Sequence, residues 1–296
     1  MRPEFVTRRL REIGARWQAD IRAAGDETKA LYLPLLAGAP RAGIDVVRDL
    51  AYGGHPRQVL DVHSPSGARR APVVAFVHGG AFVRGAKNIN AEMYGNVLTW
   101  FARQGCVGVN IEYRLAPEAP YPGGAADVSA ACRWISRHVR SLGGDPDRLC
   151  IIGHSAGGTH VATLVCNALD DPLPIDARCA VLVSARLQAD TSAVNPNAAG
   201  VAAYFGPDPA RHAACSPLTH AARAGMPVMV ANAEYENPLL DLYGLEFALA
   251  LGKARGTAPV HVALPDHNHV SIMAHFNTPE QWLGEQVLAF FERSCR

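Results

Sequence analysis

Short apolar runs recur along the chain at 59–62, 73–77, 107–112, 149–152, 180–184, 228–231 and 260–263. Each is four to six residues long and rich in valine, leucine or isoleucine. That length and content predict strands, because helices need longer windows and a period near 3.6. Longer stretches with helical character lie between several of them, at 94–104, 125–141 and 238–253. Strands alternating with helices predict an α/β fold, with a largely parallel sheet covered on both faces. In such a sheet the functional groups gather at the C-terminal ends of the strands. Upstream, residues 6 to about 36 also read as helical, with Pro34 near the end. No repeat or low-complexity tract interrupts the pattern.

One junction between a strand-like and a helix-like run carries chemistry. Gly153-His154-Ser155-Ala156-Gly157 is a G-x-S-x-G pattern between the run at 149–152 and a small-residue stretch, 156–169, that can continue as helix. Glycines on either side let the backbone turn sharply, so that the Ser155 hydroxyl stands exposed as a nucleophile. A serine that merely caps a helix would need no partner motif elsewhere. Partners are present. The run at 73–77 ends in His78-Gly79-Gly80-Ala81-Phe82. A His-Gly-Gly stretch after such a strand can turn main-chain N–H groups toward a carbonyl oxygen under attack. The amides expected to form this oxyanion hole are those of Gly79, Gly80 and Ala156.

These two motifs, together with Tyr113-Arg114-Leu115-Ala116-Pro117-Glu118, resemble the hormone-sensitive-lipase-like carboxylesterases of the α/β-hydrolase fold. The similarity runs from about Val47 to the C-terminus. Tyr52-Gly53 and 57–62 also resemble the first strands of arylformamidase-like and feruloyl/acetyl-xylan-esterase-like hydrolases. The resemblance implies a mostly parallel central sheet with helices on both faces and a small helical cap. It implies a cap or lid over the mouth of the site from residues 1–45, a catalytic domain over 46–296, and a cap insertion around 186–216.

It also implies a triad in the order serine, acid, histidine. In the resembled families the histidine is followed by an apolar residue, which points to His269 before Val270 and leaves His267 as its rival. The acid is less regular. Aligning Ala233-Glu234 with the family's Ala-Glu-x-Asp-Pro-Leu puts Glu236 at the acid position, whereas aligning Pro238-Leu239 puts Asn237 there. Glu236 is expected, with Asp241 and Glu234 as alternatives. Phe82, Tyr204 and Phe205 are candidate walls of a substrate pocket. Arg114 and Asp127 are expected to organise the loop behind the His-Gly-Gly turn.

Composition narrows the partners. With 296 residues, 49% of them hydrophobic, and a net charge of +1, the chain suits one large domain and offers no electrostatic case for nucleic acid or anionic membranes. The start is charged and amphipathic, without an apolar signal or membrane segment, which predicts a cytoplasmic protein. Seven scattered cysteines without zinc-type spacing predict buried free thiols. No metal and no cofactor are expected. The expected activity is hydrolysis of small uncharged carboxylic esters through an acyl-enzyme. An amidohydrolase of arylformamidase type and a non-catalytic small-ligand receptor are the alternatives, and a homodimer is left open.

Overall fold

The computed structural model describes residues 2–169 and 171–296. An N-terminal pair of helices, α1 (Glu4–Gly14) and α2 (Ile21–Ala37), precedes the sheet. The sheet then starts with β1 (Ile44–Ala51), β2 (Val59–Pro65) and β3 (Ala71–Val77), followed by α3 (Gly95–Arg103) and β4 (Val107–Ile111). Next come α4 (Gly123–His138), β5 (Gly144–His154), α5 (Ala156–Val165), β6 (Cys179–Val183), α6 (Ala198–Phe205) and α7 (His212–Cys215). The chain ends with β7 (Val228–Tyr235), α8 (Leu240–Arg255), β8 (Val260–Asn268), α9 (Ser271–Ala274) and α10 (Trp282–Ser294).

The eight strands form one sheet in the order β1-β2-β4-β3-β5-β6-β7-β8. Pairs β1/β2 and β2/β4 are antiparallel, and every pair from β4 to β8 is parallel. Strand periodicity explains the layering, since successive side chains point to opposite faces. Val73, Ala75 and Val77 pack with Leu149 and Ile151 under α4, α5 and α8, whereas Val74 and Phe76 pack with Cys150 and Ile152 under α3, α9 and α10. Both faces are therefore apolar, and the central strands read as unbroken hydrophobic runs.

All seven expected strands are present. Three local readings differ. The helical region expected over residues 6–36 is two helices, because Asp20 breaks it and caps α2, its side chain accepting the Ala23 N–H at 2.9 Å. The helix after Ser155 stops at Val165 instead of running to 169. Gly143 to Arg148, whose glycines and Asp-Pro predict a turn, is a turn only at Gly143; from Gly144 it already pairs with β3. Among the described residues, no helix is long and apolar enough to cross a membrane.

Four histidines are buried as neutral groups, with a consequence for acid stability. Burial pushes His63 down to about 4, His160 and His275 to about 3, and His154 well below its ordinary value. In the unfolded chain each binds a proton below roughly pH 6.5, while the folded state resists it. Stability from these groups is therefore complete above that pH and drains away as pH falls toward 4. At pH 5 His63, His160 and His275 each cost roughly 2 kcal/mol, and His154 acts in the same direction. Thermal melts followed by circular dichroism should show a steep fall in Tm between pH 7 and 5. A flat Tm across that window would contradict the account.

Candidate active site

Strand β5 ends at His154 and α5 begins at Ala156, so Ser155 alone forms the turn, at φ 55° and ψ −119°. This is a left-handed conformation that costs a non-glycine residue energy and tends to be kept where it has a use. The turn fits only because Gly157 has no side chain: a Cβ there would lie 2.2 Å from the Val77 carbonyl oxygen. The end of β3, with its glycines, is thus pressed against the serine turn. Ser155 makes no side-chain cap to α5. Its Oγ lies 3.1 Å from His269 Nε2 instead.

His269 follows the end of β8, and its Nδ1 lies 2.8 Å from Glu236 Oε2. A carboxylate can only accept, so Nδ1 donates to Glu236 and Nε2 is left to accept the Ser155 O–H. Glu236 is 4% exposed, and its other oxygen accepts the Ser184 hydroxyl and the Ala233 N–H. Ser155, His269 and Glu236 come from three separate strand ends and form one hydrogen-bonded chain. The rivals lie elsewhere. His267 contacts Ser271 and Glu280, Glu234 accepts the Asp266 N–H, Asp241 is exposed on α8, and Asn237 accepts a hydrogen bond from Trp17.

The glycine turn faces this chain. A Cβ on Gly79 would lie 2.8 Å from Ser155 Cβ, so its backbone lies against the serine. Gly80 sits at φ 146°, where a Cβ would strike the Arg84 carbonyl oxygen at 1.8 Å, and only glycine is tolerated. Among the described residues, no protein group accepts from the N–H of Gly80 or Ala156. The Gly79 amide instead faces the Tyr94 hydroxyl. Behind the turn, His78 is held between Glu112 (2.7 Å) and the Tyr113 ring (4.4 Å between centroids). Arg114 grips Asp127 through its guanidinium and its own N–H.

Phe82, Tyr204 and Phe205 pack together beside Ala156, with Phe82 stacked on Tyr204 at 4.7 Å. None is more than 5% exposed. Tyr204 is further tied through its hydroxyl to His160, at 3.2 Å. These rings back the turn as a solid block.

The N-terminal segment, through its two helices and the turn between them, grips the loops that carry Glu236 and His269. Trp17 donates its indole N–H to Asn237 at 3.1 Å, one residue from Glu236. Thr28 accepts from Asn268 at 2.9 Å, one residue from His269. Arg2 and Arg11 both pair with Asp266. Trp17 packs against Tyr235 and Val270 in the same small core. A Trp17→Phe protein keeps this packing but strands a buried amide oxygen, which costs about 1–3 kcal/mol. Its Tm is expected to drop by roughly 2–6 °C; melting together with wild type would show that the bond contributes nothing.

Comparison with known proteins identifies the family. The BD-FAE family model matches residues 60–207, which is half of the chain. The chain belongs to the BD-FAE family. It is 41% identical over 105 residues to "Esterase LipI" of Mycobacterium tuberculosis, an alignment covering 34% of this chain and 30% of that protein. The chain spans less than half the length of the curated relatives it matches. Among solved structures, esterase B from Lactobacillus rhamnosis superposes with a TM-score of 0.76 at 20% identity, over 95% of this chain and 96% of that one. A bacterial heroin esterase superposes with a TM-score of 0.69 at 25% identity, over 94% and 93%. The fold is that of the hormone-sensitive-lipase-like α/β hydrolases.

Three residues around this candidate site escaped sequence reasoning: Glu112, Tyr94 and Trp17. Each acts through a partner far along the chain, and no local motif marks it. His154 was visible inside the G-x-S-x-G pattern but reads there as packing.

Proposed function

We propose that this protein is a carboxylesterase that cleaves small uncharged carboxylic esters, with Ser155 as nucleophile, His269 as general base and acid, and Glu236 as the orienting carboxylate. The observation that carries this reading is the unbroken bond chain from Ser155 Oγ through His269 to Glu236, at 3.1 and 2.8 Å. The names of the relatives support ester chemistry, as does the family.

In the proposed reaction Ser155 Oγ attacks the ester carbonyl carbon while its proton passes to His269 Nε2. Glu236 keeps the imidazole in the accepting tautomer and offsets the charge it gains. The new oxyanion is held by the free amides of Gly80 and Ala156, with Gly79 forming the wall of the hole between Tyr94 and Ser155. His269 then gives its proton to the leaving alkoxide, and the alcohol departs. A water attacks the acyl-serine, its proton goes to His269 and returns to Ser155, and the carboxylic acid is released. Phe82, Tyr204 and Phe205 contribute as the rigid backing of the pocket. The proposal includes a cytoplasmic setting, which five buried free cysteines suit.

The receptor alternative requires a missing triad member, and the proposed triad has all three. The amidohydrolase alternative uses the same three groups and is separated by substrate. Labelling by a fluorophosphonate, with faster turnover of phenyl acetate than of N-formyl-kynurenine, is the expected result. No labelling and no turnover of any activated ester would end the proposal.

Glu236→Gln tests the acid directly. The amide can donate to Nδ1 and hold the imidazole in the wrong tautomer, with no charge to offset the imidazolium. kcat should fall by about 10⁴-fold on this ground. A variant within tenfold of wild type would shift the role to another carboxylate.

A further inference from the structure

His154 stands between the glycine turn, the nucleophile and the base, and the mechanism above gives it no task. It is 3% exposed. Its Nε2 lies 3.0 Å from the main-chain oxygen of His269, and its Nδ1 lies 3.2 Å from the Tyr94 hydroxyl. A carbonyl can only accept, so Nε2 carries the proton and donates, and Nδ1 is the acceptor for the Tyr94 O–H. The tautomer is fixed by its surroundings. On its third side the ring meets the oxyanion turn: a Cβ on Gly79 would lie 3.1 Å from Nδ1. The ring centroids of His154 and His269 are 4.8 Å apart.

Tyr94 is equally fixed. It is 7% exposed and sits at φ 75°, ahead of α3, in a conformation unusual for a tyrosine. Its N–H donates to Asn96, whose amide also donates to the carbonyls of Met273 and Phe276 just beyond His269. Its ring packs on Phe76 and faces His78. The two residues thus bridge β3, β5 and the loop after β8, the three segments whose spacing sets the reaction geometry. Burial and the neighbouring imidazoles of His269 and His78 keep His154 neutral, so it adds no charge next to the base.

We propose that His154, oriented by Tyr94, is a positioning residue that holds the His269 main chain at the distance and angle at which Nε2 meets the Ser155 hydroxyl. The inference rests on the proposed Ser155–His269–Glu236 assignment. It adds a prediction that assignment does not make: the residue before the nucleophile acts on kcat through the base loop. A misplacement near 1 Å can cost about 100-fold in rate without changing ground-state binding.

The test compares His154→Ala, His154→Gln and Tyr94→Phe on phenyl acetate, with Tm measured for each. His154→Ala should lower kcat by about 10–100-fold with KM within roughly twofold of wild type. In His154→Gln the amide nitrogen stands near the place of Nε2 and can donate to the same carbonyl. It should recover most of the lost kcat, whereas an effect of lost ring packing alone would not be restored by a glutamine. Tyr94→Phe keeps the ring and removes only the hydroxyl, and should lower kcat by about 3–10-fold at unchanged KM. Equal kcat for the alanine and glutamine variants, or a loss carried by KM alone, overturns the proposal. If His154→Ala does not fold, Tyr94→Phe decides: a wild-type kcat overturns the proposal and a reduced one supports it. An inactive wild-type protein would instead remove the esterase reading itself, which keeps the two failures distinct.

Discussion

Ser155→Ala is expected to lower kcat/KM for a short-chain aryl ester by about 10⁶-fold and to abolish fluorophosphonate labelling. At about 1.4 kcal/mol per decade this corresponds to roughly 8 kcal/mol of transition-state stabilisation. The loss is large because nothing else in the proposed mechanism can form the acyl-enzyme. Fold stability should hardly change. The side chain's hydrogen bond is the one to His269, and the left-handed backbone at 155 is imposed by the packing of Gly157 on Val77, not by the hydroxyl. The measurement therefore separates chemistry from folding: a protein with wild-type Tm and wild-type rate would show that Ser155 is only a turn residue. A residual rate above that in water is expected, since the amides of Gly80 and Ala156 and the pocket remain.

How much of this was legible in the sequence depended on whether the signal was local. The six inner strands could be read because most of their residues are buried on both faces, which makes each an apolar run; the edge strand β8 is only half-buried and showed itself through Val260 and Val262. Strand β1 could not. Most of its residues are exposed, Val46 and Val47 at 41% and 40%, so it shows neither a run nor an alternation. The serine and glycine turns were readable because backbone strain and close approach demand glycine at fixed offsets, as at Gly80 and Gly157.

The acid was readable only as a choice among neighbours. Glu234, Glu236 and Asn237 lie within four positions, and a loop end does not announce which side chain turns inward. What separates them is tertiary: Ser184, itself at φ 47°, and the Ala233 amide hold Glu236 from behind, while Trp17 claims Asn237. The supporting groups were out of reach for the same reason. Tyr94 meets His154 across 60 positions, His154 meets His269 across 115, and Glu112 meets His78 across 34. Such pairings follow from the order of strands in the sheet, which a list of periodicities does not contain.

His269→Ala should cost almost as much as loss of the serine, about 10⁵–10⁶-fold in kcat. Without the imidazole the Ser155 hydroxyl keeps its proton at neutral pH and is a poor nucleophile. The two groups act as a unit, so the double variant Ser155→Ala/His269→Ala should be no slower than either single one. Additive losses would mean that the histidine works on something other than the serine. The alanine variant also strips a donor from Glu236, leaving a buried carboxylate short of one partner, at a cost of about 1–3 kcal/mol. His269→Asn controls for this, because its amide can still donate to Glu236 where Nδ1 stood, yet it offers no base. It should match His269→Ala in kcat and exceed it in Tm. Recovery of activity by the asparagine variant would show that orientation of Glu236, and not proton transfer at Nε2, is what His269 supplies.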